Sequence, residues 1–335
     1  MFTLPNKNRR FKTEYRKDKT MRKENKTAND RISGSAVQSY HAGAWDESYA
    51  FVGFDGVNKY FTSDRFIKLD SNYQRIDGKA CKGFGIEFEL ESWGFNNQTA
   101  FATVLKQMIF KIFPDGLFKM QNDSTLSGGS CSGIECITQV MTKEFIRNNY
   151  KNFKTMFNDY FPIFDISAVR SGHCGMHVNI SNACFNGDDN IRKFYYLINR
   201  HYEFMCALLN RSLSRTTWCG RMDYSNAREM DLNHMSSSHG NCFNGSHYRT
   251  GRIELRLVGG QKDFGCFRNT MESIFFMIEK VKTLKWDELD NLATVFSGCN
   301  QYVFDRIKTK CYDAGTISTA DIETIRQNVV PMDLI

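Results

Sequence analysis

Three short stretches set acidic, imidazole and guanidinium side chains at alternate positions: GIEFELE (Gly85 to Glu91), GMHVNIS (Gly175 to Ser181) and RIELRL (Arg252 to Leu257). Alternate residues of a strand point to opposite faces, so Glu87, Glu89 and Glu91 share one face while Ile86, Phe88 and Leu90 share the other. By the same rule His177, Asn179 and Ser181 oppose Met176, Val178 and Ile180, and Arg252, Glu254 and Arg256 oppose Ile253, Leu255 and Leu257. Carboxylates two residues apart on one face repel unless a cation or solvent separates them. An antiparallel sheet with helices on one side and water on the other would produce this alternation without any function. A merely solvated face, however, is usually built of Lys, Ser and Thr, and these three carry acids, one His and two Arg.

Two further acids flank a hairpin loop, Asp123 before it and Glu135 after it. If the faces converge, Glu87, Glu89, Asp123, Glu135 and Glu254 outnumber Arg252 and Arg256, and two divalent cations would turn the negative surplus into a small positive charge. Such a pocket could receive a nucleotide triphosphate, with metals bridging phosphate oxygens and arginines gripping them in bidentate fashion. Carboxylates with a single imidazole suit Mg²⁺ or Mn²⁺ better than Zn²⁺, which takes more nitrogen and sulfur. Neither the Gly-x-x-x-x-Gly-Lys-[Ser/Thr] loop nor the Gly-x-Gly-x-x-Gly fingerprint occurs, which removes the two commonest nucleotide cradles. The loop Ser127 to Gly133 offers backbone N–H groups to phosphates, although an ordinary hairpin loop reads the same way.

The elements that must position these residues follow from periodicity. A strand at Gly85 to Glu91 precedes a helix near Ala100 to Phe113 and the strand pair FKMQNDSTL and GIECITQV. A helix near Thr142 to Tyr160, a strand pair ending in GMHVNIS and a long helix near Asp188 to Leu209 come next. A strand from Arg252 to Gly260 then leads into helical stretches near Phe267 to Leu284, Trp286 to Phe296 and Ser318 to Val329. Strands and helices without regular βα alternation predict an α+β domain with a largely antiparallel sheet.

With 335 residues, 41% of them hydrophobic, the chain has ample length for a buried core. No apolar run reaches the roughly 18 to 20 residues of a membrane span, and the N-terminus turns basic before a signal core could form. The 11 cysteines are scattered, odd in number and free of Cys-x-x-Cys pairs, which predicts a reduced, cytoplasmic compartment. The net charge of +7 lies entirely in residues 1–35, where 11 Lys or Arg face 4 acids. That segment has almost no aliphatic residues and reads as a disordered basic tail, a solvated arm with at most weak nucleic-acid contact. Residues 36–79 form an aromatic-rich arm, and 80–335 the domain that carries the motifs.

GIEFELE, DSTL with GIE, GHCGMHVNIS and RTGRIELRLVGGQKDF occur in the order found in the amidoligase family, part of the glutamine synthetase-like carboxylate–amine ligase superfamily. The resemblance covers about residues 80–280. It implies a glutamine synthetase catalytic-domain-like fold, a curved, largely antiparallel sheet with helices on its outer face. It also implies an ATP- and Mg²⁺-dependent enzyme that activates a carboxylate as an acyl phosphate and passes it to an amine. Glu87 and Glu89 then look like ligands to different metals, with Glu135 joining Glu89 and Asp123 corresponding loosely. His177 and Glu254 group with Glu87 around the phosphate-bridging metal, and Arg252 and Arg256 resemble the phosphate and transition-state clamps. The family often has a second His where Asn179 stands. The substrates are a carboxylate and an amine, from small metabolites to peptide or protein groups, and no membrane is implied.

Three other readings compete. Cys174 with His177 or His173 could serve acyl transfer, although positions 174 and 177 fall on opposite faces of an extended strand. A noncatalytic nucleic-acid-binding or virion-type protein could work through its basic tail. A guanidine kinase-like relative would transfer phosphate and form no amide. Arg211 and Arg215 in NRSLSR read as surface arginines at a helix end, with a substrate carboxylate as the alternative partner.

Overall fold

The computed structural model describes residues 82–331 except 96–97, 114–116, 122–125, 127–131, 139, 170–173, 216–218, 236–237, 239 and 247. The basic tail, the aromatic arm, Asp123, Cys131, His173 and most of the Ser127 to Gly133 loop lie outside the described residues. The rest is a mixed helix and strand structure around an open antiparallel sheet.

Seven strands form the sheet: β1 (Phe84–Ser92), β2 (Phe118–Gln121), β3 (Ser132–Thr138), β4 (Ile166–Ser167), β5 (Met176–Ser181), β6 (Phe243–Asn244) and β7 (Arg252–Leu255). Their order is β2-β3-β1-β5-β7-β6, with β4 continuing the β5 edge of β1. The three patterned strands are therefore consecutive neighbours, β1 beside β5 beside β7. Register pairs Glu87 with His177, Glu89 with Glu135, Asn179 with Glu254 and Ser181 with Arg252. Directly opposed residues share a face, so the polar sets of all three strands point the same way.

The apolar sets point into the core. Ile86, Phe88, Leu90, Met176, Val178, Ile180, Ile253 and Leu255 are essentially inaccessible. They pack beneath helices led by α7 (Phe264–Val281), whose Phe267 lies 5.8 Å from the Phe88 ring and whose Phe275 lies 4.8 Å from Phe84. Asp263 caps α7 by accepting the Cys266 N–H at 2.8 Å. Preceding helices are α1 (Gln98–Ile112), α2 (Lys143–Asn148), α3 (Tyr150–Lys154), α4 (Phe161–Ile163), α5 (Asp188–Arg200) and α6 (Tyr202–Leu208). α8 (Leu292–Phe296), α9 (Gln301–Arg306) and α10 (Thr319–Arg326), the last capped by Ser318, follow.

Several boundaries differ from the sequence expectation. The helix expected over 142 to 160 breaks at Asn149 (φ −101°, ψ 11°) and widens into a π-helical turn at Thr155–Tyr160. The long helix over 188 to 209 breaks at His201 (φ −108°, ψ 39°), whose Nε2 meets the Leu289 carbonyl at 2.8 Å. Instead of a pair ending in GMHVNIS, Ile166–Ser167 pairs with β1 at Ser92 and Glu91. The strand expected to run to Gly260 is interrupted after Leu255, where the carbonyls of Arg256, Leu257 and Val258 accept from the Arg211 guanidinium, and contact with β5 resumes at Val258 and Gly259. Gly259 and Gly260 then pass so close to the backbone that a Cβ on either would overlap the carbonyls of Asn210 and Ala168, respectively.

One buried carboxylate ties the helical layer together. Glu272 of α7 accepts two hydrogen bonds from Arg147 (2.9 and 2.6 Å), one from Tyr150 (2.6 Å) and one from Asn300 (3.1 Å), so it joins α2, α3 and the start of α9. Its side chain is wholly inaccessible, which makes each donor necessary. Glu272→Ala is expected to lose about 3–5 kcal/mol in urea unfolding, because it removes the buried acceptor shared by Arg147, Tyr150 and Asn300. Combining Arg147→Met with Glu272→Leu is expected to recover much of that loss.

Candidate functional site

The site is built on the polar face where β1, β5, β7 and β6 meet. Glu87 Oε2 lies 3.4 Å from His177 Nδ1, and Glu254 Oε1 lies 3.5 Å from the same nitrogen. His177 Nε2 faces Glu89 Oε1 at 3.5 Å. One imidazole therefore stands among three carboxylates. One ligand atom each from Glu87, His177 and Glu254 falls within a 4.8 Å set, a spacing suited to a shared cation.

Each carboxylate also has a fixed second partner. Asn179 donates to Glu87 Oε1 at 2.7 Å and accepts from Arg252, so it bridges an acid and a base on neighbouring strands. Glu254 accepts from Arg256 Nη1 at 2.6 Å and from Asn244 Nδ2 at 2.9 Å. Glu89 Oε2 accepts the backbone N–H of Gly175, where β5 begins. A Cβ at Gly175 would sit 2.8 Å from Arg211 Nη2 and 3.0 Å from Glu89 Oε2, so glycine lets both side chains flank the strand entry.

The electrostatics follow from burial of these groups. Desolvation works to raise the Glu87 pKa, but the hydrogen bond and charge of His177, the charge of Arg252 and the Asn179 hydrogen bond outweigh it and hold the carboxyl at about 2. Burial opposes protonation of His177 and Arg256 opposes it too, yet Glu89, Glu87 and Glu254 prevail and raise its pKa. Arg256 is also shifted up, since Glu254 overcomes its desolvation. Carboxylates gathered around one imidazole give an oxygen-rich ligand set of the kind that fits Mg²⁺ or Mn²⁺.

Of the residues singled out in the sequence, Glu87, Glu89, His177, Glu254, Arg252 and Arg256 come together. Glu135 stands directly across from Glu89 and is buried, on the side of β1 away from His177. Asp123 lies outside the described residues. Arg211 is a correction: it is no surface arginine but a clamp on the chain after β7, donating to the Val258 carbonyl at 2.7 Å and the Arg256 carbonyl at 3.2 Å. Arg215 closes the turn Leu213–Arg215. Asn244 carries no sequence signal, since β6 has only two residues and no alternation to read.

The described cysteines sit in the core. Among the described residues all are buried, and burial pushes the thiols of Cys184, Cys206, Cys299 and Cys311 up to about 12, far from the thiolate that acyl transfer requires. Cys174 is buried, with its sulfur 4.0 Å from the Ser167 carbonyl oxygen. Among the described residues, no helix is long and apolar enough to cross a membrane.

Titration with Mn²⁺ followed by electron paramagnetic resonance is expected to show binding that His177→Ala and Glu254→Gln each remove. Asn244→Ala, which only frees Glu254 to rotate, is expected to weaken it about tenfold. No family model matches this chain, and no curated protein sequence matches it, so the role of the cluster rests on its chemistry.

Proposed function

We propose that the chain is an ATP- and Mg²⁺-dependent carboxylate–amine ligase of the amidoligase type, with a glutamine synthetase-like sheet as its catalytic wall. The observation that carries this reading is the meeting of Glu87, His177 and Glu254 with Arg252 and Arg256 on one buried sheet face. A metal-binding set with two guanidinium groups attached to it is what a polyphosphate substrate needs. The order of the four motifs along the chain supports the same assignment.

Glu87, His177 and Glu254 would hold the ion nearest the transferred phosphate, and Glu89 with Glu135 the other, with Asp123 as a further ligand. The ions supply Lewis-acid charge to the phosphate oxygens. The substrate carboxylate attacks the γ-phosphorus, an O–P bond forms, the β–γ bridge breaks and ADP leaves. The amine then attacks the acyl carbon, a C–N bond forms, phosphate departs with the C–O electron pair and the nitrogen releases a proton. Arg252 and Arg256 stabilise the charge that builds on the phosphoryl oxygens. Asn179 keeps Arg252 and Glu87 in register, while Arg211 fixes the backbone from which Arg256 projects.

Calorimetric titration of a non-hydrolysable ATP analogue is expected to give binding only when Mg²⁺ is present. Arg256→Ala is expected to lower amine-dependent phosphate release about 100-fold. Metal-independent nucleotide binding, or none by the folded protein, would overturn the reading. A phosphorylated product that accumulates and is never consumed by an amine would point to a kinase.

A further inference from the structure

Among the described residues, Glu91 is the carboxylate of this face with a buried oxygen that no donor meets. It projects on the same side of β1 as Glu87 and Glu89, and only 1% of it is exposed. Glu87 is paired by His177 and Asn179, Glu89 by Gly175 and His177, and Glu254 by Arg256 and Asn244. Glu91 Oε2 is buried with no hydrogen-bond donor within reach. A carboxylate oxygen removed from water and left without a donor is costly, so an oxygen kept this way is matched to a partner that arrives from outside.

The surroundings define that partner. Across β1, Glu91 is opposed by Gly133 on one side and by Ser167 on the other, neither of them charged. The space over Gly133 is filled by Leu126, whose carbonyl oxygen and Cβ both crowd the point where a Cβ of residue 133 would stand. Leu126 thus brings a carbonyl, a hydrogen-bond acceptor, to this side of Gly133, and Ser167, whose Oγ accepts the Val169 N–H, adds no charge. It does not belong to the set of ligand atoms that converge within 4.8 Å. A divalent ion needs several oxygen ligands, most of them charged. One carboxylate with neutral acceptors instead suits a compact monocation that carries its own N–H donors.

We propose that Glu91 is the receptor for the ammonium group of the amine substrate, an inference that rests on the ligase reading above. The charge attracts the amine in its abundant protonated form, and burial strengthens that attraction relative to water. Its place on β1, two residues beyond Glu89 and four beyond Glu87, puts the amine on the opposite side of Glu89 from the phosphate-binding arginines. That keeps the amine apart from the arginines that would hold the departing phosphate. The specificity this implies is for primary ammonium groups, since a quaternary one offers no N–H to Oε2.

The test is saturation-transfer NMR of methylammonium with the full chain, Mg²⁺ and a non-hydrolysable ATP analogue, with nucleotide binding measured on the same sample. Expected are saturation transfer to methylammonium and none to tetramethylammonium, with affinity for methylammonium reduced at least tenfold in Glu91→Gln while nucleotide binding is unchanged. Nucleotide binding without methylammonium binding would overturn the receptor and leave the ligase reading intact, as would equal methylammonium binding by wild type and Glu91→Gln. Glu91-dependent methylammonium binding with no nucleotide binding would keep the receptor and remove the ligase reading. Should Glu91→Gln fail to fold, the comparison of methylammonium with tetramethylammonium on the wild type decides the matter, equal signals overturning the proposal.

Discussion

Several carboxylates share one desolvated sheet face, and everything around them is arranged so that they can remain charged. Like charges this close would neutralise by taking up protons unless positive groups were fixed among them. The structure supplies His177 at the centre and Arg252 and Arg256 at the edge of β7, each held by a named hydrogen bond. The result is a polar face poised between internal ion pairing and external cations. Glu87, His177 and Glu254 also bring one ligand atom each close enough together to be shared by a single cation.

The scaffold explains how such a face is kept in register. β1, β5 and β7 are immediate neighbours, and a slip of one residue between any pair would send every acid into the aromatic core under α7. The apolar faces of those strands, packed on Phe267 and Phe275, therefore enforce the polar arrangement opposite. Past β7 the backbone is held by the Arg211 side chain together with the start of β5, whose Met176 N–H meets the Val258 carbonyl, and Gly259 and Gly260 permit the close passage that follows. Glu272 does the corresponding work in the helical layer, with four donors on one carboxylate. The geometry of the polar face and the joining of the helical layer are thus carried by different buried charges.

The strict alternation of polar and apolar residues made β1, β5 and β7 legible from sequence alone, and with them six of the residues that meet at the site. Alternation states which residues share a face; it does not state which strands are neighbours, and that came from the tertiary pairing. Asn244 was invisible because a two-residue strand has no period. Arg211 was misread because a guanidinium after a helix end looks exposed until the chain it clamps, nearly fifty residues later, is in place. The helix breaks at Asn149 and His201 fall where neither Pro nor Gly marks them, and at His201 a side-chain contact to the distant Leu289 carbonyl accompanies the break. Glu91 illustrates a further limit, since its sequence signal equals that of Glu87 and only burial distinguishes an acid with partners from one without.

The central claim is that Glu87, His177 and Glu254 are ligands to one divalent ion that also meets the nucleotide phosphates. A crystal grown with Mn²⁺ and a non-hydrolysable ATP analogue, examined by anomalous scattering at the manganese edge, tests it most directly. The account predicts an anomalous peak within bonding distance of all three side chains and of a phosphate oxygen, with Arg252 and Arg256 turned toward the same phosphates. Nucleotide bound elsewhere, or His177 still enclosed by its carboxylates with the metal peak at another place, would contradict it.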